Sequence, residues 1–531
     1  MVAPLWEQQM IANYSLGRLV LIFVTVLGIA FRFYNLDQKV YWHDEVINSS
    51  RLSGYSLEEI AQELPKDTVF PASELLKYQF PNVDRSPADT VQLLASAEPQ
   101  NPPLYYLLGW AWFTVSSHSA AAARTLSAVI SLFSLPLMYW LGSSLFREPR
   151  VGLTAMALMA VSPFHVLYAQ EARPFSLWTV TVLASCCLLL NATRQQTWRS
   201  WLLYTMSLVV GLYTFPFTLF VIASHGLYLC LLRPFQIGRS LVFYLASAAA
   251  SLLLFSPWIF FIVKNADQMD SWRAKSATLT SLVKTWAGNL TRLFFDINLT
   301  ADSSLSQLLL PVLACLLFIA VSLVFLAKAP LTQAKLFVFS LILVTAAALI
   351  LPDLALGGRR STVSRYFIPT YIGIQLAAAY FIAQQTSRKT KLGGLTLAAV
   401  IAAGLGSCLV SAQADVWWNK PLSLDTPAIV ARINQADSPV ILSDRISFDL
   451  LEFSHRLEPE AQVQLLSVAP TLPASPAVLA DLSQQEPSVE MMLIGPSAVL
   501  QETLTDAGYE ITPVEGDFGR KLFQVTGATG R

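Results

Sequence analysis

Long apolar runs recur along this chain from residue 19 to residue 410, almost free of charged residues. A run of roughly 18 or more apolar residues is long enough to cross a bilayer as a helix. In lipid each backbone polar group must be satisfied within its own segment, so such runs fold as helices. The sequence therefore predicts a polytopic α-helical membrane protein. Composition agrees, since 54% of the 531 residues are hydrophobic and only 13% are charged, about half the charged share of a soluble protein. Net charge is zero, so no nucleic acid is expected as a partner.

The order of charges suggests how the chain threads the membrane. The first apolar run, Leu19 to Phe31, lacks a small-residue cleavage site after it and reads as an uncleaved signal anchor. Basic residues mark the cytoplasmic side, and they recur in short connections: Arg147 and Arg150, Arg194 and Arg199, Arg233 and Arg239, Lys328 and Lys335, then Arg388, Lys389 and Lys391. Segment 37–101 is the opposite, with 5 Lys/Arg against 11 Asp/Glu, and is placed outside. Spans are expected at 15–35, 121–145, 151–169, 174–193, 200–214, 217–232, 240–263, 306–327, 335–352, 366–385 and 392–411. That makes eleven, with twelve and thirteen as the alternatives, the N-terminus cytoplasmic and the C-terminus outside. Segment 103–117 is apolar but short, and reads as an interfacial or partly inserted helix. The five cysteines all fall inside these spans, so neither a disulfide framework nor a cysteine metal site is expected.

The composition changes near residue 412. "SPVILSD", "VQLLSV", "VEMMLIGPS" and "RKLFQV" read as short strands with helix-like stretches between them, and "TLPASPAVLA" as a connector. The expected division is a membrane domain at 1–411, with an outer loop at 37–102, and a small extracytoplasmic α/β domain at 412–531.

Four outer segments carry residues that lipid does not explain. "YWHDEVINSS" puts His43, Asp44 and Glu45 just after the first span. On a helix, adjacent residues point about 100° apart, so the two acids serve different roles. The structural reading is a helix whose first turn favours acids. "NPPLYYLLGW" places Asn101 as an N-cap and Pro102 at the first helical position. "YAQEARPFSLW" sets Glu171 and Arg173 at a junction of two spans, where an ionisable residue is a functional hypothesis by default. A salt bridge or a snorkelling Arg173 is the structural reading. "GGRRSTVSRYFIPTY" gathers Arg359, Arg360 and Arg365 on the side that should be poor in them. Clustered guanidiniums suit a phosphate, whether on a ligand or on lipid headgroups; Lys264, Arg273 and Lys275 extend the basic zone. Carboxylates can accept a proton from a hydroxyl, and arginines can stabilise a departing phosphate. Together they fit group transfer from a lipid phosphate.

The motif order resembles the GT-C superfamily of integral membrane glycosyltransferases, in the branch of protein O-mannosyltransferases and lipid A aminoarabinose transferases. "WHDE" (Trp42 to Glu45) is similar to that family's acidic pair after the first span. "NPPL" is similar to its "HPPL", Arg124 to Ser127 to its "R-x-x-S", "AQEARPF" to its second outer loop, Arg365 and Tyr366 to its late "RY", and "YTFP" (Tyr213 to Pro216) to its "Y-T-H" turn. Asn101 and Phe215 stand where the family often has His; His43 and His165 are the substitutes at hand.

The resemblance implies a GT-C-like fold and a polyprenyl-phosphate-linked sugar as donor, transferred on the outer face, usually with inversion. It makes Asp44 the general base, Glu45 an acceptor-orienting or site-shaping acid, and Glu171 a second acid positioning the acceptor or a divalent cation. Arg173 and Arg365, with Arg359 and Arg360, would hold the donor phosphate. His43, Asn101, Pro102 and Tyr366 would shape the site. The acceptor is a lipid, a glycan or a protein. Metal use is left open, with Mg, Mn and Zn as the divalent options. A bacterial plasma membrane is the expected location. The rival readings are a lipid or glycan transporter or flippase, which usually carries ionisable groups mid-span and repeated halves, a non-catalytic assembly factor, and an envelope polysaccharide polymerase or ligase.

Overall fold

The structure is a computed structural model that describes residues 5–232, 238–266, 277–298, 305–388, 390–467, 490–514 and 522–526, with side chains left out at 5–16 and 305–308. Among these residues, seven helices are long and apolar enough to cross a membrane: Ala120–Phe146, Phe175–Gln195, Arg239–Lys264, Leu309–Lys328, Thr332–Leu356, Ser364–Ser387 and Lys391–Ala412. Pro149–Ala160 and Pro163–Ala169 pass the same test only as a pair, bent by 59° at the break between them. The other three expected spans fall on Leu5–Phe33, Trp198–Thr214 and Thr218–Leu232. Each expected segment is thus helical, but Trp198–Thr214 and Thr218–Leu232 have 17 and 15 residues, short of the ~20 that a crossing takes. Segment 103–117 yields only the ten-residue helix Leu104–Phe113.

The chain divides into two compact units. A helical unit comprises Met1–Leu36, Leu94–Tyr105 and Ala121–Gln413, and a sheet-bearing unit comprises Asp37–Leu93, Tyr106–Ala120 and Ala414–Arg531. The outer loop that the sequence assigns to the membrane domain thus clusters mostly with the C-terminal segment. The sheet explains why. Its strands are β1 (Val69–Pro71), β2 (Val440–Ser443), β3 (Gln462–Leu465), β4 (Met491–Ile494), β5 (Glu510–Pro513) and β6 (Leu522–Thr526), in the order β1-β3-β2-β4-β6-β5. β3, β2 and β4 run parallel, and β1 pairs antiparallel with β3. Four strands lie where the sequence placed them. β1 and β5 were not expected; β1 contains Pro71 and sits at the sheet edge, where a missing N–H is tolerated. Val440, Leu442, Leu493, Leu500, Leu504 and Val525 form the core of this unit. The connector "TLPASPAVLA", Arg273 and Lys275 lie outside the described residues.

The bent span is the feature of the helical unit that matters most for its chemistry. Pro163 has no N–H, so the carbonyl four residues earlier loses its partner. Arg32, fully buried, supplies the replacement: Nη2 donates to the Met159 carbonyl at 3.2 Å and Nη1 to Ala160 at 2.7 Å and to Gly28 at 2.6 Å. Cys408 Sγ approaches the Val161 carbonyl at 3.6 Å, and Ser162 Oγ donates to Leu293. A Cβ at Gly28 would collide with the Ala160 carbonyl, so only glycine lets the first helix come this close. The break therefore keeps its backbone satisfied, as a site away from water must.

Candidate active site

Within the helical unit the bent span ends in the loop 170–173, whose backbone is pinned from several sides. Gln170 Nε2 donates to the Phe31 and Tyr34 carbonyls at 2.7 and 2.9 Å. Ser127 Oγ donates to the Arg173 carbonyl at 3.3 Å and lies 2.8 Å from the Tyr105 hydroxyl. Arg124 Nη1 donates to the Leu36 carbonyl at 2.6 Å. The "R-x-x-S" positions are thus a clamp: Arg124 closes the end of the first helix, and Ser127 holds the loop.

A second loop, 357–367, is pinned as firmly. Gly357 and Gly358, with φ of 76° and 137°, turn the chain where a side chain would be strained. Buried Asp353 accepts from the Ser361 N–H at 2.6 Å and pairs with Arg360 at 3.4 Å. Trp286 Nε1 donates to Ser361 Oγ at 3.0 Å, and Asn289 Nδ2 to the Thr362 carbonyl at 3.1 Å.

The two loops bring Arg173 and Arg365 to one aromatic ring. Their Cζ atoms lie 4.9 and 5.3 Å from the Phe175 centroid, and Arg365 also lies 5.8 Å from the Tyr366 ring. Phe215 contacts Phe175, Trp178 and Tyr366. The position where the family often has His is thus part of the aromatic wall carrying the arginines. Tyr168 lies 3.1 Å from Ser364 Oγ, and its hydroxyl feels the charges of Arg365, Glu171 and Arg173. Two guanidiniums on one ring repel each other, which favours negative charge beside them. Buried Glu171 supplies one carboxylate, and both arginines remain half-exposed.

The acids of "WHDE" belong to the sheet-bearing unit. Helix His43–Ser53 carries Asp44 and Glu45 in its first turn and closes on Gly54 in the left-handed region. Its N-cap residue, Trp42, has no side chain able to cap; the His43 N–H is taken instead by Ser423 Oγ at 3.2 Å. Glu45 is completely buried, 2.9 Å from Lys420 Nζ, itself 1% exposed. That ammonium also lies 5.2 Å from the Trp42 ring. The His43 ring meets Phe448 edge-on at 5.3 Å. Ser423 and Thr426 donate to Glu452 at 2.8 and 2.6 Å. Burial still outweighs these bonds and pushes the Glu452 carboxyl up to about 7. Asp44 is half-buried, with its neighbours on both sides held.

Some sequence assignments land elsewhere. Asn101 does not cap the helix that follows: its Nδ2 donates to Glu98 Oε2 at 3.2 Å, and the helix starts at Leu104. Pro103 disfavours helical geometry at the residue before it, so Pro102 cannot open the helix. Arg360 is engaged with Asp353, and Arg359 is exposed beside it. His165 is buried and bonded to Gln375 at 3.0 Å. Arg32, Lys420 and Ser423 escaped notice in the sequence; only the long-range partners reveal them. Among the described residues no group of three or more His, Cys, Asp or Glu side chains could hold a metal ion.

Residues 100–261 match the family model described as dolichyl-phosphate-mannose-protein mannosyltransferase. No curated protein matches the chain in sequence. Among solved structures, ArnT from Cupriavidus metallidurans bound to undecaprenyl phosphate is similar with a TM-score of 0.55 at 11% identity, covering 96% of this chain and 98% of that one. The same protein in the apo state gives 0.41 at 12% identity, covering 97% and 98%. The Archaeoglobus fulgidus oligosaccharyltransferase in its apo form gives 0.43 at 12%, covering 92% and 75%. The likeness to the undecaprenyl-phosphate-bound ArnT structure is one of fold, and it agrees with the fold that the motif order implied.

Proposed function

We propose that this protein is a glycosyltransferase that moves a sugar from a polyprenyl-phosphate donor to an acceptor on the extracytoplasmic face of the membrane. The observation that carries the reading is the meeting of Arg173 and Arg365 on Phe175, beside Glu171. A guanidinium pair of this kind suits a phosphate whose charge grows as it leaves. The match over residues 100–261 and the undecaprenyl phosphate of the ArnT structure support the same donor class.

In this reading the acceptor hydroxyl oxygen attacks the anomeric carbon. The bond from that carbon to the phosphate oxygen breaks, and the polyprenyl phosphate leaves with the electron pair, with inversion. The hydroxyl proton passes to the Asp44 carboxylate, which acts as the general base. Glu171 offsets the arginines and orients the acceptor, and Tyr366 and Phe215 wall the donor side. The plasma membrane, with the C-terminal unit outside, is the location that fits.

The test is turnover of a panel of radiolabelled polyprenyl-phosphate sugars by the purified full-length protein, for wild type, Asp44→Asn and Arg365→Gln. Turnover of one donor that is lost in both variants supports the reading and names the sugar. Binding of a lipid phosphate with movement across vesicles and no bond cleavage would replace it with the flippase.

A further inference from the structure

Helix His43–Ser53 lacks its own start signal, and its first turn is organised by residues nearly 380 positions away. Three grips flank Asp44. Ser423 Oγ takes the His43 N–H, Lys420 Nζ takes the Glu45 carboxylate, and the Phe448 ring abuts His43. The turn that presents them is itself closed by backbone bonds, Lys420 N–H to Trp417 and Ser423 N–H to Lys420. Behind it, Glu452 accepts from Ser423 and Thr426, so the chain of contacts runs from helix Phe448–Phe453 through residues 420–426 to the N–H beside Asp44. A carboxylate fully out of water is strongly unfavourable unless paired, so Glu45 stays buried only while Lys420 is in place. Glu45 is thus an anchor, and its neighbour on the other face of the turn is the acid left half-exposed.

We propose that Lys420, through Glu45, and Ser423, through the His43 N–H, are positioning residues that fix the direction of Asp44, so that the C-terminal segment sets the competence of the proposed base. This rests on the glycosyltransferase reading for its kinetic arm alone. Positioning of a base to within a fraction of an ångström is worth orders of magnitude in rate, whereas donor affinity resides in the arginine loops.

The experiment uses the full-length protein in detergent and combines steady-state kinetics with hydrogen exchange of the peptide covering residues 43–53. In Lys420→Met, exchange in that peptide rises at least about tenfold and kcat falls at least about tenfold, with the donor KM unchanged. Because a lone buried Glu45 can unfold the unit, Glu45→Gln/Lys420→Met is measured beside it. The double variant has no buried charge and recovers both exchange protection and most of kcat. Lys420→Met with wild-type exchange, or with faster exchange and wild-type kcat, overturns the proposal, as does a double variant no better than the single. If the wild type turns over no donor, the functional reading falls while the exchange comparison still decides whether Lys420 holds the helix.

Discussion

Glu45 in the sheet-bearing unit and Arg365 in the helical unit are both charged residues in sheltered places, and the chain treats them in opposite ways. Glu45 is sealed from water against Lys420. Arg365 leans on two aromatic faces and stays half-exposed, while the backbone of its loop is held by Asp353, Trp286 and Asn289. The same contrast recurs between adjacent residues: Glu45 is fully buried and Asp44 is half-buried. Firm pinning of the backbone with a charged group left accessible is what a reacting group needs. Closure of a charge against its partner serves architecture, and breaking such a pair is destabilising while its presence is only weak evidence of stability.

The contrast is sharpest when the half-buried charges are removed. Asp44→Asn and Arg365→Gln are each expected to lower transfer by about 100-fold or more while the unfolding midpoint stays near that of the wild type. A large loss of stability in either would show that these residues, too, are architectural. Arg32→Met should do the reverse. It strips the Met159 and Ala160 carbonyls of their donor, at about 1–3 kcal/mol for each unsatisfied group, and thermal unfolding in detergent reads that loss.

Glu452 gives a smaller effect with a pH signature. Its folded carboxyl titrates near 7 instead of the ordinary 4.5 because it is buried. The folded state therefore holds a proton that the unfolded chain has released. Its stabilising contribution is complete below about 4.5 and is lost as pH rises to about 7, a change on the order of 3 kcal/mol. Thr426, Ser423, Asp449 and Lys420 are the groups that act on it. Unfolding of wild type and Glu452→Gln between pH 4.5 and 8 checks this, and the wild type should lose stability relative to the variant across that range. Arg360→Ala should have the least effect, under about 1 kcal/mol and only a few-fold in turnover, because the contact is long at 3.4 Å, Arg360 is half-exposed and Asp353 keeps the Ser361 N–H. A loss as large as that of Arg365→Gln would put Arg360 among the donor-binding groups.

The helices were legible in the sequence because the requirement behind them is local: a backbone in lipid must bond within its own segment. Strands β2, β3 and β4 were legible for a related reason, since strands in a parallel sheet buried on both faces read as unbroken apolar runs. β1 was not, because "VFP" becomes a strand only through pairing with residues 462–464. Glu171 and Arg173 stood out as charges at the junction of two spans, which is an expensive place to put them, and Arg365 as one of three arginines on the side that should be poor in them. The capping role of Asn101 was misread because the second proline moves the helix start to Leu104. Arg32 and Lys420 look like ordinary basic residues beside a span and in a loop. Their significance lies in carbonyls and a carboxylate 127 to 375 positions away, which no local pattern encodes.

The wide separation of Glu45 from Lys420, and of β1 from β3, bears on how the protein is made. Synthesis proceeds at about 5–20 residues per second. The 375-position separation of the two partners therefore takes roughly 20–75 s to be synthesised. For that interval the ribosome has delivered the acidic helix and the edge strand without their mates, while the later membrane-spanning segments are still being made. The sheet-bearing unit is the last part of the chain able to finish folding. A nascent chain stalled before residue 420 should accordingly carry a protease-sensitive stretch at 37–93.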